Sequence, residues 1–172
     1  MTELVSLDAN WLPANQVLLP AAIAPWLLEP ASLTARLKAH CQQFRLSLLA
    51  ERQSRLPEHL TPSLPDVTTE CTRREVLMWC NGLPAVYAQS WLPHQSKVQL
   101  QQLQNLGTQP LGELLFQYPD LQRSPIEIAR LSLPRPSAEI AAGEYWARRS
   151  VFSVAGAPLL VAEVFLPVVE TL

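Results

Sequence analysis

Glu163 is the one charged residue in the run Leu159-Leu160-Val161-Ala162-Glu163-Val164-Phe165-Leu166, which follows a turn-like Ala155-Gly156-Ala157-Pro158. An apolar run bounded by a turn signal reads as a strand buried on both faces. A carboxylate inside such a strand must be neutralised, paired or used, because an isolated buried charge is costly. Arg74 poses the converse problem upstream, where it leads into Val76-Leu77-Met78-Trp79-Cys80. The planar fork of arginine makes two charge-assisted bonds to a carboxylate, so one inward base and one inward acid suit a small anionic ligand. Each residue also has a plainer explanation. Arg74 fits a structural ion pair with Glu75 or with an acid across a sheet. Glu163 fits a core pair with Arg130, Arg148 or Arg149. Arg148 and Arg149 point to opposite faces of one strand, so at most one of them faces the site.

The rest of the composition narrows the chemistry by exclusion. The chain has 172 residues, enough for one domain with a real core, and is 48% hydrophobic and 16% charged, which marks a folded globular protein. A net charge of -2 gives no electrostatic case for binding nucleic acid. His40, His59 and His94 lie far apart and match no metal-ligand spacing, and the five glycines form no phosphate-binding loop. Cys41, Cys71 and Cys80 have no CxxC spacing and cannot all pair, so a reduced, cytoplasmic setting is the simpler expectation. The apolar stretch 17–28 is broken by Pro20 and Pro25 and is too short to span a bilayer, so a soluble protein is expected.

The elements that must position Arg74 and Glu163 are punctuated by 16 prolines. Residues 25–28 predict a short helix, and Ser32 caps a second that runs through Leu33 and Leu37 to about Cys41. Residues 44–48 alternate as a first strand, and Pro57, Pro62 and Pro65 mark an extended connection. Asn81-Gly82 between residues 72–80 and 83–92 predicts a hairpin with a type I′ turn. The period of two sets Arg74, Val76 and Met78 on one strand face and Glu75, Leu77 and Trp79 on the other, without deciding which face meets the core. Residues 96–106 predict a helix carrying Leu100, Leu103 and Leu106 and ended by Gly107. Thr108 caps a further turn with Leu111, Leu114, Leu115 and Phe116. Residues 126–130 predict a strand, and a loop with Pro134, Pro136 and Gly143 leads to a last hairpin of residues 146–154 and 159–166. Hairpins with helices inserted between them imply an α+β fold with a mostly antiparallel sheet.

Five motifs stand in order along the chain: Arg74-Glu75-Val76-Leu77, Pro110-Leu111-Gly112, Ile126-Glu127-Ile128-Ala129-Arg130, Trp146-Ala147-Arg148-Arg149-Ser150, and Pro158-Leu159-Leu160 through Glu163-Val164-Phe165-Leu166-Pro167. From Arg74 onward they resemble the bacterial chorismate pyruvate-lyase family, with a fainter match at Leu27-Leu28-Glu29 and Ser32-Leu33-Thr34. The resemblance implies conversion of chorismate to 4-hydroxybenzoate and pyruvate, the first step of ubiquinone biosynthesis in many proteobacteria, with no cofactor and no metal. It implies a chorismate lyase-like domain over residues 1–172, a six-stranded antiparallel sheet and helical flaps over an internal ligand site. A monomer with no nucleic-acid partner and no membrane span is expected. Carried over by motif, the ligand arginine falls on Arg74, the ligand glutamate on Glu163, and flap contacts on Leu111 and Leu33. Arg74 and Glu163 are also the candidates for catalysis. The chain departs from the family at Leu33, where methionine is usual, and in a longer segment over residues 131–144. A non-catalytic effector-binding module of the same fold, or a carrier of aromatic acids, is the competing expectation. The proline-broken N-terminal segment speaks against the helix-turn-helix domain that regulators of this fold carry.

Overall fold

In the computed structural model, which describes residues 5–134 and 138–172, eight strands form one antiparallel sheet. They are β1 (Leu12–Pro13), β2 (Phe44–Arg55), β3 (Glu70–Cys80), β4 (Leu83–Pro93), β5 (Gln122–Arg123), β6 (Glu127–Leu133), β7 (Gly143–Val154) and β8 (Ala157–Phe165). The spatial order is β1-β6-β7-β8-β4-β3-β2, with β5 also paired to β7. Four short α-helices accompany the sheet: α1 (Ala24–Leu27), α2 (Leu33–His40), α3 (His94–Gln99) and α4 (Leu111–Leu115). The six-stranded expectation is therefore corrected to eight. The two additional strands have two residues each, too short to leave a hydropathy alternation in the sequence.

Both hairpins form where the residue types demand them. Asn81 and Gly82 take φ values of 51° and 80°, the left-handed pair of a type I′ turn. Ala155 and Gly156 repeat this geometry at 50° and 80° between β7 and β8. Strand β8 is flanked by β7 and β4, which explains why its sequence is apolar at nearly every position. Pro158 stands outside the part of β8 that pairs with β4, so its missing N–H removes no ladder bond on that side.

Both faces of the sheet are covered. One face packs Leu77, Tyr87, Leu160 and Val164 against Val5, Leu7 and the 3₁₀ segment Glu58–Ser63. The other packs Val76, Met78, Val86 and Phe165 against α1 and α2, continuing through Phe152 and Leu159 to α4. Ser32 caps α2 as expected, its hydroxyl accepting from the Ala35 N–H at 3.2 Å.

Several local expectations change. The connection through Pro57, Pro62 and Pro65 is not extended but holds a 3₁₀ helix, Glu58–Ser63, and the first strand runs on to Arg55 past a bulge between Leu48 and Ala50. The single helix expected over 96–106 is α3 followed by a 3₁₀ segment, Gln101–Asn105, broken at Leu100. Spacing of three between Leu100, Leu103 and Leu106 lines one side of a three-residue turn, which favours the tighter helix. Pro110, not Thr108, is the N-cap residue of α4. Pro136 lies outside the described residues, and the connection from β6 to β7 begins after Leu133.

The cysteine expectation also changes. Cys41 and Cys80 are disulfide-bonded, with Cα atoms 5.5 Å apart, and only Cys71 is free. The bond joins the end of α2 to the end of β3 across 39 residues of sequence, a pairing that spacing alone does not signal. Among the described residues no helix is long and apolar enough to cross a membrane, and no group of three His, Cys, Asp or Glu could hold a metal ion.

Candidate functional site

Antiparallel register sets the site out in rows. Glu51, Arg74, Ser90, Val161 and Ser150 stand side by side across β2, β3, β4, β8 and β7. Two residues along, and therefore on the same face, lie Val76, Ala88, Glu163, Arg148 and Ile128. Arg74 and Glu163 thus sit two strands and one row apart, about 10 Å across the sheet and about 7 Å along it at the backbone. Between them β4 contributes only Ala88 and Ser90, and these short side chains leave a floor that larger residues would fill. The resulting cleft holds about 550 Å³ counted with its mouth. Its walls are Val76, Met78, Phe152 and Val161, and its cover is the start of α2 and of α4.

All four residues expected at the site line this one cleft. Leu33 is the first residue of α2 and Leu111 the first of α4, and both are buried. Their helices meet over the cleft. A Cβ on Gly112 would lie 3.7 Å from the Thr34 hydroxyl, and Lys38 pairs with Glu113 on the outside.

Arg74 is 2% exposed. One Nη donates to the Gly107 carbonyl at 2.9 Å and the other to the Gln109 carbonyl at 3.0 Å, so the guanidinium holds the loop that delivers α4. Burial lowers its pKa below the ordinary arginine value, partly opposed by Glu51, whose carboxylate is 3.8 Å away on β2. The acid across the sheet is thus present but loosely placed. Glu75 is not Arg74's partner: it lies on the opposite face, accepting from the Tyr87 hydroxyl at 2.5 Å and 3.3 Å from Arg73. Burial, followed by the adjacent Glu75, raises the Tyr87 pKa.

Glu163 is 9% exposed and pairs with Arg148, its cross-strand neighbour, whose Nε donates to Oε1 at 2.9 Å. The core ion pair raised by the sequence therefore exists, and both of its members also line the cleft. Arg149 faces away and pairs with Glu127. Nη1 of Arg148 is held in turn by the carbonyls of Leu27 at 3.2 Å and Glu29 at 2.8 Å. A half-buried cation stands nearby. Arg123 donates to the Ser150 hydroxyl at 3.0 Å and to the carbonyls of Glu29 and Pro30. Its pKa falls to about 10, first through burial and then through the like charge of Arg148, opposed by Glu163 and Glu29.

The sequence offers Arg148 only as one of three possible partners of Glu163, although a sharper signal for it exists. A two-residue turn at Ala155-Gly156 sets Val154 opposite Ala157, and counting outward along both strands reaches Arg148 opposite Glu163. Arg123 had no such signal, because β5 is two residues long. Chemically, the cleft offers a guanidinium at one end, a paired carboxylate at the other and apolar walls between, a layout for a flat ring with a carboxylate and an opposite hydrogen-bonding group.

The family model described as chorismate lyase matches residues 5–171. The chain is 40% identical to a "probable chorismate pyruvate-lyase" of Pseudoalteromonas translucida, over 95% of this chain and 94% of that one. It is 36% identical to the chorismate pyruvate-lyase of Erwinia tasmaniensis, over 92% and 86%. Among solved structures, the effector domain of PhnF from Mycobacterium smegmatis superposes with a TM-score of 0.59 at 16% identity, covering 78% of this chain and 88% of that one. That likeness shows a shared fold alone.

Proposed function

The chain belongs to the chorismate lyase family, and from that premise we infer that it converts chorismate to 4-hydroxybenzoate and pyruvate, the first step of ubiquinone biosynthesis. The observation that carries the reading is identity of 36–40% to chorismate pyruvate-lyases along nearly the whole of both chains. The fold shared with the PhnF effector domain, at 16% identity, carries no ligand or activity with it.

In this reading Arg74 binds the ring carboxylate and Glu163 the ring hydroxyl, with Leu33 and Leu111 closing over the ring. Breaking the ring carbon–oxygen bond of the enolpyruvyl ether and removing the hydrogen from the neighbouring ring carbon, which bears the hydroxyl, makes the ring aromatic. Passed to the enolpyruvyl methylene through a cyclic transition state, that hydrogen completes pyruvate directly. The cyclic route asks the protein for positioning and charge stabilisation, with no protein base in the step. A buried cleft with a fixed guanidinium supports that division of labour, so Glu163 is assigned to binding. The helices α2 and α4 serve as the flaps. The reading takes residues 1–172 as a single domain acting as a monomer without metal or cofactor.

The test is turnover by the purified protein with chelator present. Pyruvate and 4-hydroxybenzoate should appear in equal amounts from chorismate. Formation of 2-hydroxybenzoate, or dependence on an added divalent ion, would sink the assignment.

A further inference from the structure

Glu163 is held from one side by a residue that the lyase reading leaves without a role. Arg148 is 2% exposed, lines the cleft, and stands directly opposite Glu163 in the β7–β8 ladder. Its Nε engages Oε1 at 2.9 Å, while Nη1 lies 3.4, 3.2 and 2.8 Å from the carbonyls of Trp26, Leu27 and Glu29. The guanidinium plane is therefore fixed by α1 and the chain just beyond it, and the carboxylate is fixed by the guanidinium. Arg123 anchors the same connection through the Glu29 and Pro30 carbonyls, so the support is double.

We propose that Arg148 is a positioning residue that holds Glu163 as a charged acceptor, with Oε2 turned to the ligand, and so sets the site's preference for rings carrying a hydrogen-bond donor opposite their carboxylate. This rests on the lyase reading and adds its specificity. A carboxylate has acceptor capacity only. A ring hydroxyl donates to it, whereas a fluorine of similar size has nothing to donate. A buried carboxylate without its cation is unfavourable and tends to be neutralised, which would turn an acceptor into a donor and erase the distinction. Lysine would supply charge but not a fork able to hold the carboxylate and three carbonyls together.

The experiment compares dissociation constants of 4-hydroxybenzoate and 4-fluorobenzoate by calorimetry, and works whether or not chorismate turns over. The unaltered protein should prefer the hydroxyl compound by about tenfold or more, the scale of one hydrogen bond to a charged group. Arg148→Met should abolish that preference and Arg148→Lys should reduce it. In a Glu163→Gln background neither substitution should change the remaining ratio, because Arg148 acts through Glu163. A purely structural role would weaken both ligands equally and leave the ratio intact, and that outcome overturns the proposal. An unchanged ratio in Arg148→Lys overturns it too, which keeps the test decisive if Arg148→Met does not fold. Failure of the unaltered protein to bind either compound removes the lyase reading and the proposal together. A normal ratio pattern without chorismate turnover removes only the lyase reading.

Discussion

Arg74 on β3 donates to the backbone carbonyl of Gln109, 35 residues away and two positions before Leu111. One side chain therefore both lines the cleft and holds the loop that brings α4 over it. Replacing Arg74 with Ala should weaken 4-hydroxybenzoate binding by roughly 3–5 kcal/mol, the scale for leaving a buried charge unpaired. It should also destabilise the fold by about 1–3 kcal/mol, because the Gly107 and Gln109 carbonyls lose their donor. Arg74→Lys should recover part of each. Calorimetry and thermal unfolding separate the two effects. A folded Arg74→Ala protein that binds the product normally would move the anchor elsewhere.

Ala88 lies between Val76 and Glu163 in the same row, and its methyl group is part of the cleft floor. Ala88→Leu should fill the space meant for the ring. Because the added carbons enter an existing cavity, unfolding stability should fall by no more than about 1–3 kcal/mol, the scale for extra methylenes in a packed core. Binding of 4-hydroxybenzoate should fall below detection. Normal binding by this variant would mean that the ligand occupies another part of the molecule.

Cys71 is fully buried on β3, and burial pushes its thiol from 9.0 up to about 11. The folded state keeps the proton where the unfolded chain has lost it. This contribution to stability is complete below pH 9 and disappears as pH rises through about 11. Over that window the loss is about 2–3 kcal/mol. Cys71→Val, which cannot titrate, should show a shallower fall in unfolding free energy between pH 8 and 11. The raised Tyr87 hydroxyl adds a similar alkaline loss to both proteins, so only the difference between them reports on Cys71. Parallel curves would show that the thiol does not contribute.

How much of this was legible in sequence depends on how local each determinant is. Asn81-Gly82 announced its turn because few residue pairs accept two positive φ values. Glu163 announced its strand by being the exception in an apolar run. Its partner was within reach too, since a two-residue turn fixes opposite pairs by counting. The same count fails on the other hairpin. A register shift between Met78 and Trp79 places Arg74 opposite Ser90, where an unbroken ladder from Cys80 and Leu83 would give Gln89. Bulges of this kind depend on packing against neighbouring strands, which one sequence does not display. The strands β1 and β5 and the Cys41–Cys80 bond are likewise set by distant parts of the chain.

Lys38 and Glu113 join α2 to α4 on the solvent side of the cleft, with side chains 45% and 31% exposed. A pair this exposed is worth under about 1 kcal/mol, so Lys38→Ala should barely lower the unfolding temperature. Its position gives it a larger part in kinetics. A cleft that accepts a carboxylate at one end and a hydroxyl at the other suits 4-hydroxybenzoate as well as the ring of chorismate, so product should be retained. Release should then wait for α2 and α4 to separate around Leu33 and Leu111. In the unaltered protein, stopped-flow mixing should show a first turnover faster than the steady state, and added 4-hydroxybenzoate should inhibit competitively. Lys38→Ala should raise the steady-state rate while leaving the first turnover unchanged, because only the opening step loses an opposing contact. If the first turnover changes and the steady state does not, the ion pair bears on chemistry or binding, and product leaves by a path that does not part these helices.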